Sequence, residues 1–360
     1  MFSGMFKLEA RPAPSALMAW LSPVFAVLLT VLCGAILFIA LGKDPVAGLS
    51  VFFLEPMKDA RGWSELGIKV APLLLIAVGL AICFRANVYN IGAEGQFVIG
   101  AASGGAAGLY LDDGSGGAAV IALVLLAGMA GGMAWAAITA WLRDRFNASE
   151  ILVSLMLVYI AQLLLSYLVY GVLKDPEGFN FPQSKLLSDQ MLLPLVIPET
   201  RLHLGIVFAL LAAAAGWLFL SRSIAGFRLR VGGMAPHAAR YAGFSARKSL
   251  WTSMLVCGAL AGLAGVCEVL GPLGQLTPSV SPGYGFAAII VAFVGRLHPV
   301  GVVFSSFIMA LFYIGGELAQ SRLGMPSAIT GVFQGILLFA LLACDVLIQY
   351  QLRFTVSRRK

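Results

Sequence analysis

Apolar residues run along this chain in blocks of roughly twenty, and its charges gather in the breaks between blocks. A helix rising 1.5 Å per residue needs about twenty such residues to cross a hydrocarbon core of about 30 Å. By that measure the pattern predicts crossings near 20–42, 66–84, 93–111, 118–142, 151–173, 202–221, 250–271, 299–319 and 327–349. A further apolar piece, Phe286 to Val294, lies between Gly285 and Gly295 and is too short to span alone. With the loop before it, it predicts a broken or re-entrant crossing, which a membrane tolerates only where protein buries it or it lines a cavity. The first apolar run is long enough to span and no small-residue cleavage site follows it, so it reads as a retained helix.

Composition agrees with that pattern. Of 360 residues 60% are hydrophobic and 11% charged, against about 25% charged in a soluble domain. Too few charges remain to coat a water-facing surface of this size. The net charge of +7 falls in short clusters between apolar runs, which is the pattern of cytoplasmic membrane loops and not of a nucleic-acid surface. With ten crossings and the N-terminus inside, the cytoplasmic segments hold 16 of the 24 basic residues, and the opposite face holds 11 of the 17 acidic ones. Without the short crossing, Arg358, Arg359 and Lys360 would lie outside, against the positive-inside rule. The expectation is an all-α polytopic membrane protein of about ten crossings with both termini cytoplasmic. It forms one transmembrane domain over 1–360, with an N-terminal tail 1–19, a cytoplasmic loop 222–249 and a C-terminal tail 350–360.

Intramembrane polar groups are expensive, about 2.5–3.5 kcal/mol each on insertion scales, and so point to function. One cluster joins two spans and places Asn87, Asn90, Glu94 and Gln96 at or near membrane depth, with Gly92 and Gly95 permitting an irregular backbone. It reads either as the lining of a solute path or as a helix cap, with Asn90 capping and Glu94 satisfying the first turn. Glu268 is a second intramembrane carboxylate, with no basic residue within a helical turn of it. Tyr284 and Phe286 are available to stack on a ring. The loop from Ser221 to Ser249 carries six basic residues and no acid. Within it Met234 to Ala242 predicts a short helix, set between Gly232-Gly233 and Gly243, as docking on a soluble partner requires. The external segment 174–201, with four prolines, offers a surface to another soluble partner.

Several chemistries are not supported. There is no glycine-rich phosphate loop ending in Gly-Lys-Ser or Gly-Lys-Thr. No nucleophile stands with a matching histidine and carboxylate, and His203, His237 and His298 lack metal-ligand spacing. Five cysteines without a C-x-x-C pair support neither a disulfide framework nor zinc. No catalytic residue and no metal site are expected.

The segment Asn90-Ile-Gly-Ala-Glu94-Gly-Gln96 resembles the N-I-G-x-E-G-Q motif of permeases in the branched-chain amino acid and monosaccharide superfamily of ABC transporters. Arg228 to Gly243 is similar to that family's ATPase-docking segment, L-R-A-V-G-x-N-P-x-A-A-R-Y-A-G. Tyr284-Gly-Phe286, Gly295-Arg296 and Pro299-Val-Gly301 resemble the nucleoside branch, as do Pro326-Ser327 and Val332-Phe333-Gln334-Gly335. The chain departs from the pattern at Val158, where Asn is frequent, and at Met234-Ala235, where Asn-Pro is frequent. The resemblance covers about 70 to 350.

That resemblance implies a permease subunit of an ATP-driven importer in the bacterial inner membrane, carrying nucleosides by alternating access. The solute path would include Asn87, Asn90, Glu94, Gln96, Glu268, Tyr284 and Phe286. Arg230, Pro236, Ala238, Ala239, Arg240, Tyr241 and Gly243 would dock the ATPase. The implied partners are a second, paralogous permease, a cytoplasmic ATPase that holds the ATP and Mg, and an external or lipid-anchored solute-binding protein. Membrane lipid surrounds the assembly; no cofactor in this chain and no nucleic acid are implied. Simple sugars such as ribose remain an alternative solute. An ion-coupled secondary transporter, which should show internal repeats, and a non-transporting scaffold fit less well.

Overall fold

The structure is a computed structural model, and it describes residues 7–11, 15–112, 117–178 and 180–353. Asp113 and the C-terminal Arg358, Arg359 and Lys360 lie outside the described residues.

In chain order the elements are β1 (Lys7–Ala10), α1 (Ala16–Ala40), α2 (Pro45–Leu49), α3 (Ala60–Arg85), α4 (Ala93–Leu111), α5 (Ala118–Phe146), α6 (Glu150–Tyr170) and α7 (Gly205–Arg222). They continue with α8 (Ile224–Met234), α9 (Pro236–Tyr241), α10 (Ala246–Glu268), α11 (Tyr284–Val294), α12 (Pro299–Leu323), α13 (Ile329–Gln349) and β2 (Tyr350–Arg353). Every apolar block expected to cross is helical. Among the described residues eight helices, α1, α3, α5, α6, α7, α10, α12 and α13, are long and apolar enough to span. The other two expected crossings are α4, diluted by glycine and serine, and the short α11. Polar caps set several starts: Asp59 accepts from the Gly62 N–H, Ser149 from Leu152 and Ser245 from Lys248, as orphan first-turn donors require.

Two compact units divide the chain. One comprises Met1–Lys58 with Leu311–Lys360. In it α1 packs on α13, and β1 pairs antiparallel with β2. α2 runs on through a π-helical turn to Met57, a segment the apolar pattern does not predict. Phe52 stacks on Phe333 at 4.3 Å between centroids.

The other unit is Asp59–Ala310. Its centre is α3, whose apolar stretch is 89% buried, whereas those of α5 and α6 are only 22% buried and leave Leu126, Leu152 and Leu163 exposed. Those faces suit lipid, since in a bilayer an exposed leucine costs nothing. α4, α5 and α10 meet along glycines. A Cβ on Gly100 would stand 2.2 Å from the Gly262 Cα, and one on Gly132 would stand 2.2 Å from the Gly258 carbonyl. Small residues at helical spacing let membrane helices approach to backbone contact. The segment 174–201 is pinned to the turn after α10: the Leu193 N–H donates to Leu270 O at 2.8 Å, and Leu187 N–H to Gly274 O at 2.9 Å.

Candidate functional site

The polar cluster between α3 and α4 begins at a helix stop. Asn87 takes a positive φ of 58°, and residues 88–91 run without helix until α4 starts at Ala93. Inside this segment Asn90 and Gln96 exchange amide hydrogen bonds, Nδ2 to Oε1 at 3.0 Å and Nε2 to Oδ1 at 3.2 Å. Asn90 Oδ1 also accepts from the Gly92 N–H, and its Nδ2 reaches Cys257 Sγ at 3.2 Å. Both side chains are fully buried. Gly92 and Gly95 lie directly on α6: a Cβ on Gly92 would meet the Ser154 carbonyl at 2.9 Å. The motif therefore fixes an irregular backbone at depth, where an unpaired amide would be costly.

Glu94 does something the local pattern does not indicate. Its Oε2 accepts from the Gly285 N–H at 2.6 Å, 191 residues away. Ser281 Oγ accepts from the N–H groups of Gly283 and Tyr284. The start of α11 is thus capped by one side chain from its own loop and one carboxylate from α4. A Cβ on Gly285 would stand 2.3 Å from the Glu94 nitrogen, so the first turns of α4 and α11 touch. The far end of α11 lies beside the end of α3, where Arg85 Nε donates to Leu297 O at 2.7 Å. Eleven helical residues cover about 16 Å, roughly half the hydrocarbon thickness. The first turns of the two helices accordingly meet, and Glu94 and Ser281 set acceptors at the positive end of the α11 dipole.

Three more groups join this point. Tyr284, fully buried, directs its hydroxyl to Glu268 Oε1 at 3.4 Å. Its ring meets Phe97 edge-on, with centroids 5.8 Å apart. Lys69 Nζ, from α3, stands 5.8 Å from the Tyr284 centroid. Lys69 is the residue the sequence reading misses, although a lone ammonium inside an apolar run is itself a signal. Two carboxylates, an ammonium, a phenol and two helix N-termini together can hydrogen-bond a neutral polyhydroxylated solute. Of the other expected path residues, Asn90 and Gln96 bond each other nearby. Asn87 is exposed on a different cavity, and Phe286 is 39% exposed, turned outward.

The basic loop forms two helices. Gly232 and Gly233 lie inside α8, not ahead of a single helix, and the break falls at Ala235. Pro236 opens α9, where its missing N–H costs nothing, and Gly243 ends it at a φ of 74°. Ala239 is buried, while Pro236, Ala238, Arg240 and Tyr241 face solvent, Tyr241 at 97%. Beside α9 is a cavity of about 820 Å³ lined by residues that include Asn87, Arg143, Asp144, Glu150, His237 and Arg240. Asp144 accepts from Arg247 at 2.7 Å and Trp251 at 3.1 Å, and Glu150 lies 3.4 Å from Arg143. Among the described residues no group of three or more His, Cys, Asp or Glu side chains is placed to hold a metal.

Residues 64–342 match the family described as the branched-chain amino acid transport system permease component. The glucose ABC transporter permease protein TsgB13 of Haloferax volcanii is 31% identical over 98% of this chain and 95% of its own length. The guanosine ABC transporter permease protein NupP of Bacillus subtilis is 32% identical over 94% and 96%. The nucleoside ABC transporter permease protein NupB of Lactococcus lactis is 28% identical over 89% of each. The last two organisms each hold a second nucleoside or guanosine permease protein similar to this chain. No solved structure is significantly similar to it.

Proposed function

The chain belongs to the permease family of branched-chain amino acid transport systems, and from that premise we propose that it carries nucleosides through the bacterial inner membrane as one permease subunit of an ATP-driven importer. One observation carries the reading. Two helix N-termini meet inside the span around Glu94, Tyr284, Lys69 and Glu268. Broken helices with their N-termini at the middle of the membrane are how transporters present polar backbone to a solute. Tyr284, Glu268 and Lys69 suit ribose hydroxyls and base acceptors, and the similar guanosine and nucleoside permeases favour that class. The similar glucose permease keeps simple sugars as a second reading.

In this proposal both termini and the loop 222–249 are cytoplasmic. The exposed face of α9, with Pro236, Ala238, Arg240 and Tyr241, docks a partner ATPase that binds ATP and Mg, since this chain carries no phosphate loop. A paralogous second permease completes the pore, and a solute-binding protein delivers solute to the outer face. ATP binding moves α9 and opens the path inward by alternating access. The test is uptake of labelled nucleosides, ribose and glucose into proteoliposomes holding the co-expressed complex. Nucleoside uptake that requires ATP and the binding protein is expected. Sugar-only uptake would move the substrate, and uptake by this chain alone would overturn the importer reading.

A further inference from the structure

At the inner end of α11 the backbone is bent to serve one guanidinium. Arg85 donates from Nε to Leu297 O at 2.7 Å and from Nη2 to Arg296 O at 3.5 Å. Arg296 and Leu297 both hold positive φ, 58° and 52°, a conformation that residues with a Cβ adopt only where the surroundings impose it. The docking loop closes on the same place. A Cβ on Gly233 would stand 2.3 Å from the Arg85 carbonyl oxygen, and Arg230 lies one turn earlier on α8. The charge of Arg230 acts directly on Arg85. Arg85 in turn acts on His298, which partial burial and that charge hold below its usual range.

Arg85 and Arg230 have no counter-charge among the described residues: neither makes an ion pair there, and Arg230 Nε is buried without a hydrogen-bond partner. The carboxylates that line the neighbouring cavity, Asp144 and Glu150, are already held by Arg247 and Arg143. A buried guanidinium donor left unpaired is costly, and a like charge beside it adds to the cost. An anion placed between the two arginines would remove both penalties, and a planar guanidinium suits a carboxylate.

We propose that Arg85 and Arg230 form a receptor for a carboxylate side chain of the cytoplasmic ATPase, fastening the docking loop to the inner end of α11. The inference rests on the importer reading above. A protein carboxylate fits better than a lipid headgroup for two reasons. α3 is the most buried of the eight span-length helices, so little of it is left for lipid although Arg85 at its end is half-buried, and one of the two arginines belongs to the docking loop itself. A consequence follows for coupling. α11 is a single rigid helix with the Arg85 contact at one end and Glu94 and Tyr284 at the other. Engaging the receptor would therefore act on the solute site through about 16 Å of helix.

The test uses the whole importer, with this chain carrying Arg230→Lys, treated with a carbodiimide that joins an amine to a carboxylate in contact. The expected result is a new covalent adduct between position 230 and an Asp or Glu of the ATPase, absent from the wild type. Arg230→Gln should weaken retention of the ATPase by at least about tenfold while the second permease stays bound. Full ATPase retention by Arg230→Gln with no adduct in Arg230→Lys would overturn the receptor and leave the importer reading intact. An adduct with a carboxyl-bearing lipid headgroup instead would overturn the protein occupant. A wild-type complex that retains no ATPase would overturn both readings.

Discussion

Lys69 and Glu268 both reach Tyr284, and their value lies in being ionisable where ionisation is expensive. Hydrogen bonds to charged groups contribute about 1.5–3 kcal/mol, so Lys69→Met or Glu268→Gln should slow nucleoside uptake by roughly tenfold or more. Wild-type rates in both variants would remove the cluster from the path. His203 makes a different residue-scale prediction. It is 2% exposed ahead of α7, its Nδ1 accepts from the Gly205 N–H at 3.1 Å, and its Nε2 is buried with no hydrogen-bond partner among the described residues. Burial lowers its pKa from 6.5 to about 4. Between those values the unfolded chain binds a proton that the folded chain refuses, so stability is full above the upper value and falls as pH drops. The loss should reach about 3 kcal/mol near pH 4, read by thermal unfolding in detergent. His203→Gln should flatten that slope, and an unchanged slope would exclude His203 as its source. The lysine stands in the sequence as a single letter in an apolar run, and the histidine at the edge of one. Their partners come from distant segments, which no local spacing encodes.

Elements here are held by how closely backbones approach. Gly262 on α10 faces the Gly128 carbonyl and the backbone of Gly132, where a Cβ would stand 2.3 Å and 3.1 Å away. Gly262→Ala should force α5 and α10 apart at about 1–3 kcal/mol, lowering the melting temperature. Gly331→Ala on α13 points into open space and should leave it unchanged. Equal melting temperatures would mean that the seam yields without cost. The helices themselves are legible as apolar blocks, and so is the exceptional shortness of α11. What a run of hydropathy leaves open is where a short helix docks. α11 is placed by Glu94 and Arg85, each bonded to backbone at one of its ends. The docking helix expected over 234–242 forms as α9, and the glycines expected to precede it lie in a further helix, α8, where Gly233 packs against the Arg85 carbonyl.

At the scale of the molecule, an assembly is implied. Organisms with similar nucleoside permeases hold them in pairs, so a tagged form of this chain should bring down a distinct permease in equal amount. Recovery of only further copies of itself would overturn that pairing. The membrane class, the ten apolar blocks that become helices and the basic loop were legible in the sequence alone, because hydrophobic length and charge placement answer to the bilayer directly. The sequence also carried the family, through motifs spread from Asn90 to Gly335. Only the tertiary structure decided which polar residues meet. Asn90 and Gln96 satisfy each other, Glu94 leaves its own helix to cap α11, and Lys69 lies over the ring of Tyr284, whose hydroxyl reaches Glu268. A buried polar group must find a partner wherever packing offers one. Periodicity specifies which face of a helix is buried and is silent on what covers it.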